Sequence, residues 1–183
     1  MGFGSETAWF ANMYESRGSE TLEAVSFYVP APDASLRVEV RTGAAAGNPG
    51  SGTLALVMED ILGPAGYHTV RLPRNVPLSM GERFSVAVRL VTPDFLNPVP
   101  VESREAGYTE KADAAPGQSF ISADGVSWND LTTLPGHGNS NVCLKAFTSV
   151  SSSGGGCSLG GEAGASGLLL LLPLVPVFWR RRK

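Results

Sequence analysis

The stretch Arg83–Thr92 reads RFSVAVRLVT. Phe84, Val86, Val88 and Leu90 alternate with Ser85, Ala87, Arg89 and Val91. Successive side chains of a strand point to opposite faces, so the first set forms a dry face and the second a wetter one. A strand with one face of each kind belongs to an antiparallel sheet that covers a core on one side only. The same period-two pattern recurs at Thr7–Tyr14 (TAWFANMY), Leu22–Val29 (LEAVSFYV), Leu36–Thr42 (LRVEVRT), Thr53–Met58, Tyr67–Leu72 (YHTVRL), Gln118–Ser122 and Val142–Phe147. PAPDAS, NPGSG, GPAG and SMGE punctuate these runs with turn-forming residues. Asn12–Glu23 is polar enough to read as a loop or short turn. VTPDFLNPVPVE (Val91–Glu102) carries Pro93, Pro98 and Pro100, which suits a strand end followed by an edge or bulged segment. No stretch of the body keeps helical periodicity for long. The expected fold is all-β: an antiparallel β-sandwich of jelly-roll type.

Composition agrees. Hydrophobic residues are 43% and charged residues 17%, enough for a packed core, and the 22 Gly and 13 Pro suit many short strands joined by turns. The body through Thr148 carries 10 positive and 16 negative charges. That sign is wrong for a phosphate-backbone surface, and no basic stripe is interleaved with aromatics, so nucleic acid is not an expected partner.

SADGVSWNDL (Ser122–Leu131) is the most distinctive stretch. Asp124-Gly125 reads as a tight hairpin turn, with Trp128 on the returning strand. An indole can stack on pyranose C–H groups while Asp124, Asn129 and Asp130 supply hydrogen bonds. The plainer reading is a hairpin with its indole packed on the sandwich. Glu102 joins the candidate ligand-binding set. With Asp94 it also offers carboxylates for calcium, although the spacing matches no loop with a defined ligand order. No metal or other cofactor is expected.

No nucleophile elbow, Walker loop, dinucleotide fingerprint or CxxC pair is present. Cys143, His137 and Asn129 are the residue types of a cysteine-protease triad. Cys143, however, falls mid-strand in NVCLKAF with no helix N-terminus to lower its pKa, so a buried thiol is the reading and no catalytic residue is expected. Cys143 and Cys157 allow one disulfide at most.

The end of the chain has a different character. Residues 149–161 form a Ser/Gly-rich linker, expected to be a flexible coil. In residues 162–183 no charge falls between Ala163 and Trp179, and Arg180, Arg181, Arg182 and Lys183 follow. The apolar run would make a helix of roughly 25 Å, short for a membrane span, with Pro173 and Pro176 as kinks. The basic end predicts a cytoplasmic C-terminus and an external body. The beginning, MGFGSETAWF, has neither the charged and apolar regions of a signal peptide nor, with Glu6 where Ser or Thr is needed, a myristoylation pattern.

Residues from about Ala8 to Thr148 resemble the lectin-like domain that follows the papain-like (C1 family) peptidase domain in some secreted bacterial and archaeal proteins. ETLEAVSFYV, GYHTVRL, GERFSVAVRLVTP with the NPVPVE after it, PGQSFISADGVSWNDL and NVCLKAFT carry the resemblance, in the expected order. It implies a β-sandwich over residues 1–148 and binding of carbohydrate, such as a glycan or cell-wall polymer, or of a surface. It supplies no list of ligand residues. The tail resembles a C-terminal sorting domain of the Synergist type, in which Gly155, Gly156 and Cys157 match the motif for processing or attachment. That places the protein at the cell envelope, anchored through its tail. With the papain-like domain absent, the expectation is a non-catalytic C-terminal piece of an exported peptidase. The alternative is a structural or protein-interaction domain that packs on the peptidase or spaces it from its anchor.

Overall fold

The computed structural model describes residues 1–103, 107 and 114–150. The expectations for the linker, for Gly155, Gly156 and Cys157, and for the apolar segment 162–183 lie outside the described residues. Among the described residues no helix is long and apolar enough to cross a membrane.

Eleven strands appear: β1 (Thr7–Glu15), β2 (Glu20–Val29), β3 (Ala34–Thr42), β4 (Thr53–Leu62), β5 (Gly66–Leu78), β6 (Arg83–Val91), β7 (Val101–Glu102), β8 (Ser119–Ser122), β9 (Asn129–Asp130), β10 (Asn141–Val142) and β11 (Leu144–Val150). A short 3-10 turn at Leu131–Thr133 is the helical element among the described residues. Every strand pairing is antiparallel. One sheet has six strands in the order β4-β3-β6-β1-β8-β9; facing it are a three-stranded sheet, β11-β2-β5, and a two-stranded one, β10-β7. The expected antiparallel β-sandwich is the observed fold.

The dry face of β6 forms its part of the core as the alternation requires. Phe84, Val86, Val88 and Leu90 are buried with Phe10 of β1, Leu36, Val38 and Val40 of β3, and Leu22, Val25, Phe27 and Val29 of β2. Phe10 meets Phe27 edge-on from the opposite sheet, with ring centroids 6.3 Å apart. β2 shows how an imperfect pattern is accommodated. Leu22 and Val25 are an odd number of residues apart, yet both face inward. A register shift between Leu22 and Ala24 in the pairing with β5 adds the extra residue that restores the phase.

Two short strands, β7 and β9, fall where the sequence places an edge or bulged segment and a strand returning from the Asp124-Gly125 turn. β5 runs on to Leu78 through Pro73 and Pro77, which an edge strand tolerates because its outer N–H groups need no ladder partner. The polar run after Asn12 is shorter as a loop than its composition implies, because β1 continues to Glu15 and β2 begins at Glu20.

Asn12 is the chief departure from its sequence reading. Its side chain faces the core and is 2% exposed. The chain between β10 and β11 breaks ladder at Cys143, whose N–H bonds to Pro100 O. The Asn12 amide donates to Leu144 O at 2.9 Å and Val142 O at 3.4 Å, and Tyr14 Oη donates to Leu144 O at 2.8 Å. Ser119 Oγ binds the Asn12 amide oxygen and accepts from Val142 N–H. Replacing Asn12 by Leu removes the donor shown for Val142 O and one bond each from Leu144 O, which keeps Tyr14, and Ser119 Oγ, at about 1–3 kcal/mol for such lost buried bonds. Asn12→Leu is therefore expected to lower Tm by about 5–10 °C in a calorimetric scan, while Arg71→Gln, exposed on β5, changes it little.

Candidate binding face

The wet face of β6 lies on the outer side of the six-stranded sheet, away from the core, and strand register arranges it in rows. One row runs Ser122–Trp9–Arg89–Arg37–Glu59 across β8, β1, β6, β3 and β4; the next runs Phe120–Ala11–Ala87–Glu39–Val57. Ala11 and Ala87 are short, so this second row sinks between taller neighbours. Trp9 and Trp128 pack beside it on Ala11, Met13, Ala44, Ala87 and Phe120, a small apolar cluster separate from the main core.

Two loops wall the depression. The first, residues 43–52, is fastened to the sheet by Ser85 Oγ, which donates to Pro49 O at 2.7 Å, and by Ala44 N–H to Arg83 O. The second, residues 123–128, joins β8 to β9. Its Asp124 Oδ1 accepts from the N–H groups of Val126 and Ser127, each at 2.8 Å, and from Ser122 Oγ at 2.9 Å. Gly125 takes φ +76, and a Cβ there would fall 2.7 Å from the Trp9 ring. A left-handed backbone and a close approach thus both require glycine at this position. The connection is seven residues long, from Ile121–Asn129 pairing outward, not the two-residue hairpin that Asp124-Gly125 predicts.

Between the loops is a cavity of about 300 Å³ lined by Glu39, Arg41, Asn48, Gly50, Ala87 and Trp128 among others. The indole edge of Trp128 rests on Gly50, where a Cβ would lie 3.1 Å from Nε1. That nitrogen has no hydrogen-bond partner. Glu39 holds Arg37 Nε at 2.8 Å and Arg41 Nη2 at 3.3 Å. An aromatic wall, a carboxylate, a guanidinium and an amide around one depression are recognition groups for a polar, ring-shaped ligand.

Of the residues the sequence singles out, Trp128 lines this cavity. Asp124 builds its wall and commits Oδ1 to its own loop. Asn129 lies on β9 opposite Ile121. Asp130 caps the 3-10 turn through Thr132 N–H at 2.9 Å and also accepts from Gly117 N–H. Glu102 is elsewhere, in a second cavity of about 420 Å³ with Met1, Tyr28, Phe95 and Cys143, where it pairs with Lys145 at 3.3 Å. The Glu6 carboxylate accepts from Asp94 N–H, and among the described residues no group of three His, Cys, Asp or Glu side chains is placed to hold a metal. His137 directs Nδ1 at Ser140 Oγ, 3.1 Å away, and no hydrogen bond joins it to Cys143 or Asn129. Glu39, Arg41, Asn48 and Trp9 went unmarked in the sequence. Only LRVEVRT, with its outward charges, hinted at two of them.

The architecture is that of an antiparallel β-sandwich module with a cavity on the outer face of its larger sheet. The chain belongs to the Lectin like domain family, whose model matches residues 1–148. Two solved structures are similar to it. The cysteine protease and lectin-like domains of Cwp84, a surface layer associated protein of Clostridium difficile, match with a TM-score of 0.65 at 23% identity, over 80% of this chain and 33% of that one. The clostridial cysteine protease Cwp84 after propeptide cleavage matches with a TM-score of 0.64 at 22% identity, over 80% and 37%. The chain thus spans about a third of the length of the solved structures it matches, and the part matched is the lectin-like domain, not the protease. At these identities the likeness is one of fold. A comparison with curated proteins finds no match.

Two outcomes follow from the ionisable groups. The backbone bonds from Ser127 and Val126, then the Ser122 hydroxyl, hold the Asp124 carboxyl down at about 2. A depressed carboxyl contributes stability above its unfolded pKa, near 3.9, and loses it as pH falls through the folded value. The amide resonances of Val126 and Ser127 should therefore titrate with a midpoint near pH 2; a midpoint near 4 would contradict the bonding described. Burial, then the Glu102 carboxylate, pushes the Cys143 thiol up to about 12. Cys143 should resist iodoacetamide at pH 8 in the native protein and react once it is unfolded in guanidinium, as read by peptide mass mapping.

Proposed function

We propose that this chain is the carbohydrate- or surface-binding accessory module of a surface-anchored cysteine peptidase of the C1 family, and that sugar binds in the depression beside Trp128. The observation that carries this reading is the convergence of Trp128, Glu39, Arg41 and Asn48 on one cavity outside the hydrophobic core. Trp128 supplies the stacking plane, and Asn48 with the Glu39–Arg41 pair supplies directed hydrogen bonds. The sequence candidates Asp124, Asn129 and Asp130 then act by shaping the loop and its base rather than by touching ligand. The surface location named for Cwp84 supports a place at the cell envelope. Residues 1–148 would be the module, 149–161 the linker and 162–183 the sorting segment that engages the membrane, with Gly155, Gly156 and Cys157 at its processing point.

A second reading has its own observation. The cavity around Met1 is walled by Tyr28, Pro30, Phe95, Val99 and Pro100, and Tyr28 is 44% exposed. Such an apolar surface suits packing against a peptidase catalytic domain.

The first reading is tested on a broad array of neutral and charged glycans. At least one glycan should bind, and Trp128→Ala should weaken it about tenfold or more, in line with the loss of an aromatic anchor. Trp128→Phe, which keeps the apolar packing but narrows the plane, should retain the fold and lose part of the affinity. No binding anywhere on the array, with the protein folded, would sink the sugar reading.

A further inference from the structure

Granted that the depression beside Trp128 holds sugar, the charges around it select among sugars. Arg37, Arg41, Arg89, Glu39 and Glu59 form a ladder across β3, β4 and β6 on the outer face. Glu39 and Glu59 each lie 2.8 Å from Arg37, and Glu39 also takes Arg41. Arg89 is left over. Register sets it directly between Arg37 on β3 and Trp9 on β1. No carboxylate among the described residues pairs with it.

Arg37 faces Arg89 from the neighbouring strand but is itself neutralised by Glu39 and Glu59, so Arg89 is, among the described residues, the guanidinium of this row without a carboxylate. Nothing in the packing of the face requires that arrangement, since the side chain points out from the sheet and remains half-buried rather than enclosed. Arg89 stands two residues along β6 from Ala87, which floors the cavity, so about 7 Å of strand separates them. A sugar ring seated beside Trp128 would place a substituent within reach of Arg89. The planar guanidinium matches the paired oxygens of a carboxylate or phosphate.

We propose that this face takes an anionic glycan, a sugar carrying a carboxylate or a phosphate ester, with Arg89 binding the anion and Trp9 and Trp128 providing the stacking surface. An oxyanion there compensates the one guanidinium of the ladder that has no carboxylate partner among the described residues. Neutral sugars would gain only the stacking and the uncharged hydrogen bonds. The body as a whole is acidic, so long-range attraction does not assist the encounter, and selectivity must come from this local contact.

The test is calorimetric titration of the full chain. One arm uses uronate oligosaccharides (hyaluronan, oligogalacturonate, alginate and heparosan fragments), each beside its carboxyl-reduced neutral counterpart. A second arm uses glycerol-phosphate oligomers beside free glycerol oligomers, which separates phosphate from carboxylate. At least one acidic ligand should bind about tenfold or more tighter than its neutral counterpart, as for a charge-assisted hydrogen-bond pair. Arg89→Gln should abolish that ratio without changing neutral binding, and Arg89→Lys should restore part of it. Because Arg89 makes no ion pair among the described residues, Arg89→Gln should leave Tm nearly unchanged, which separates a binding role from a structural one. If neutral counterparts bind as well as the acids, the anion proposal fails while the sugar reading stands. If no ligand of either kind binds here or on the broad array, the sugar reading fails first.

Discussion

The sandwich depends on a polar contact inside an apolar core. Strand β10 leads into β11 through Cys143, and at that break the carbonyls of Val142 and Leu144 accept from side chains of the other sheet. Buried carbonyls without partners are costly, so something from the facing sheet must reach them. Asn12 does so with its amide, and Tyr14 adds a hydroxyl. Both are on β1, the strand between β6 and β8. Their bonds fix the spacing of the two layers and the phase of β1. A slip of one residue would place Asn12 outside, Met13 and Ala11 inside, and reverse every side chain of the strand.

The phase of β1 is also what makes the outer face. With Asn12 and Phe10 held inward, Trp9, Ala11 and Met13 must point outward. Ala11 lies beside Ala87 of β6, and the two small side chains leave a trough between aromatic and charged ridges. The walls are held by hydrogen bonds of different kinds. Ser85 ties one loop to the sheet through a backbone carbonyl, whereas Asp124 ties the other loop to itself. Loops pinned to a rigid sheet in this way present a pocket at low conformational cost.

The sequence reveals the architecture more readily than the site, and the reason is physical. Alternation along RFSVAVRLVT or LRVEVRT records which face of one strand is dry, because each side chain's burial is decided within its own strand. The site is decided between strands. Glu39, Ala87 and Ala11 meet only because β3, β6 and β1 pair in one register, and that register is invisible in any single segment. Trp128 and its loop stood out because an aromatic between Asp, Gly and Asn is rare chemistry within ten residues. What the segment does not reveal is the bonding of Asp124 and Asp130, whose Oδ1 atoms accept from backbone N–H groups two or three residues on, while Asp130 also reaches Gly117. Glu102 looked free because its partner Lys145 is distant in sequence. Asn12 read as the start of a loop because polarity is the usual mark of exposure; a buried amide with a bridging task carries no local signal.

The ionisable groups divide by task in a way that bears on what the module can do. Cys143 is held protonated by burial beside a carboxylate, the opposite of what activates a thiolate. Asp124 is held ionised by its own loop, so it has little basicity to offer a substrate at neutral pH. Both shifts come from structural bonds, and neither group lines the outer cavity. The side chains that do line it, Glu39 and Arg41, are paired, outward-facing and supported by a rigid sheet. Such groups orient a ligand and discriminate among ligands without transferring a proton. The geometry of the face is therefore set by strand register and by which of its charges are paired, on a domain of the family to which the chain belongs.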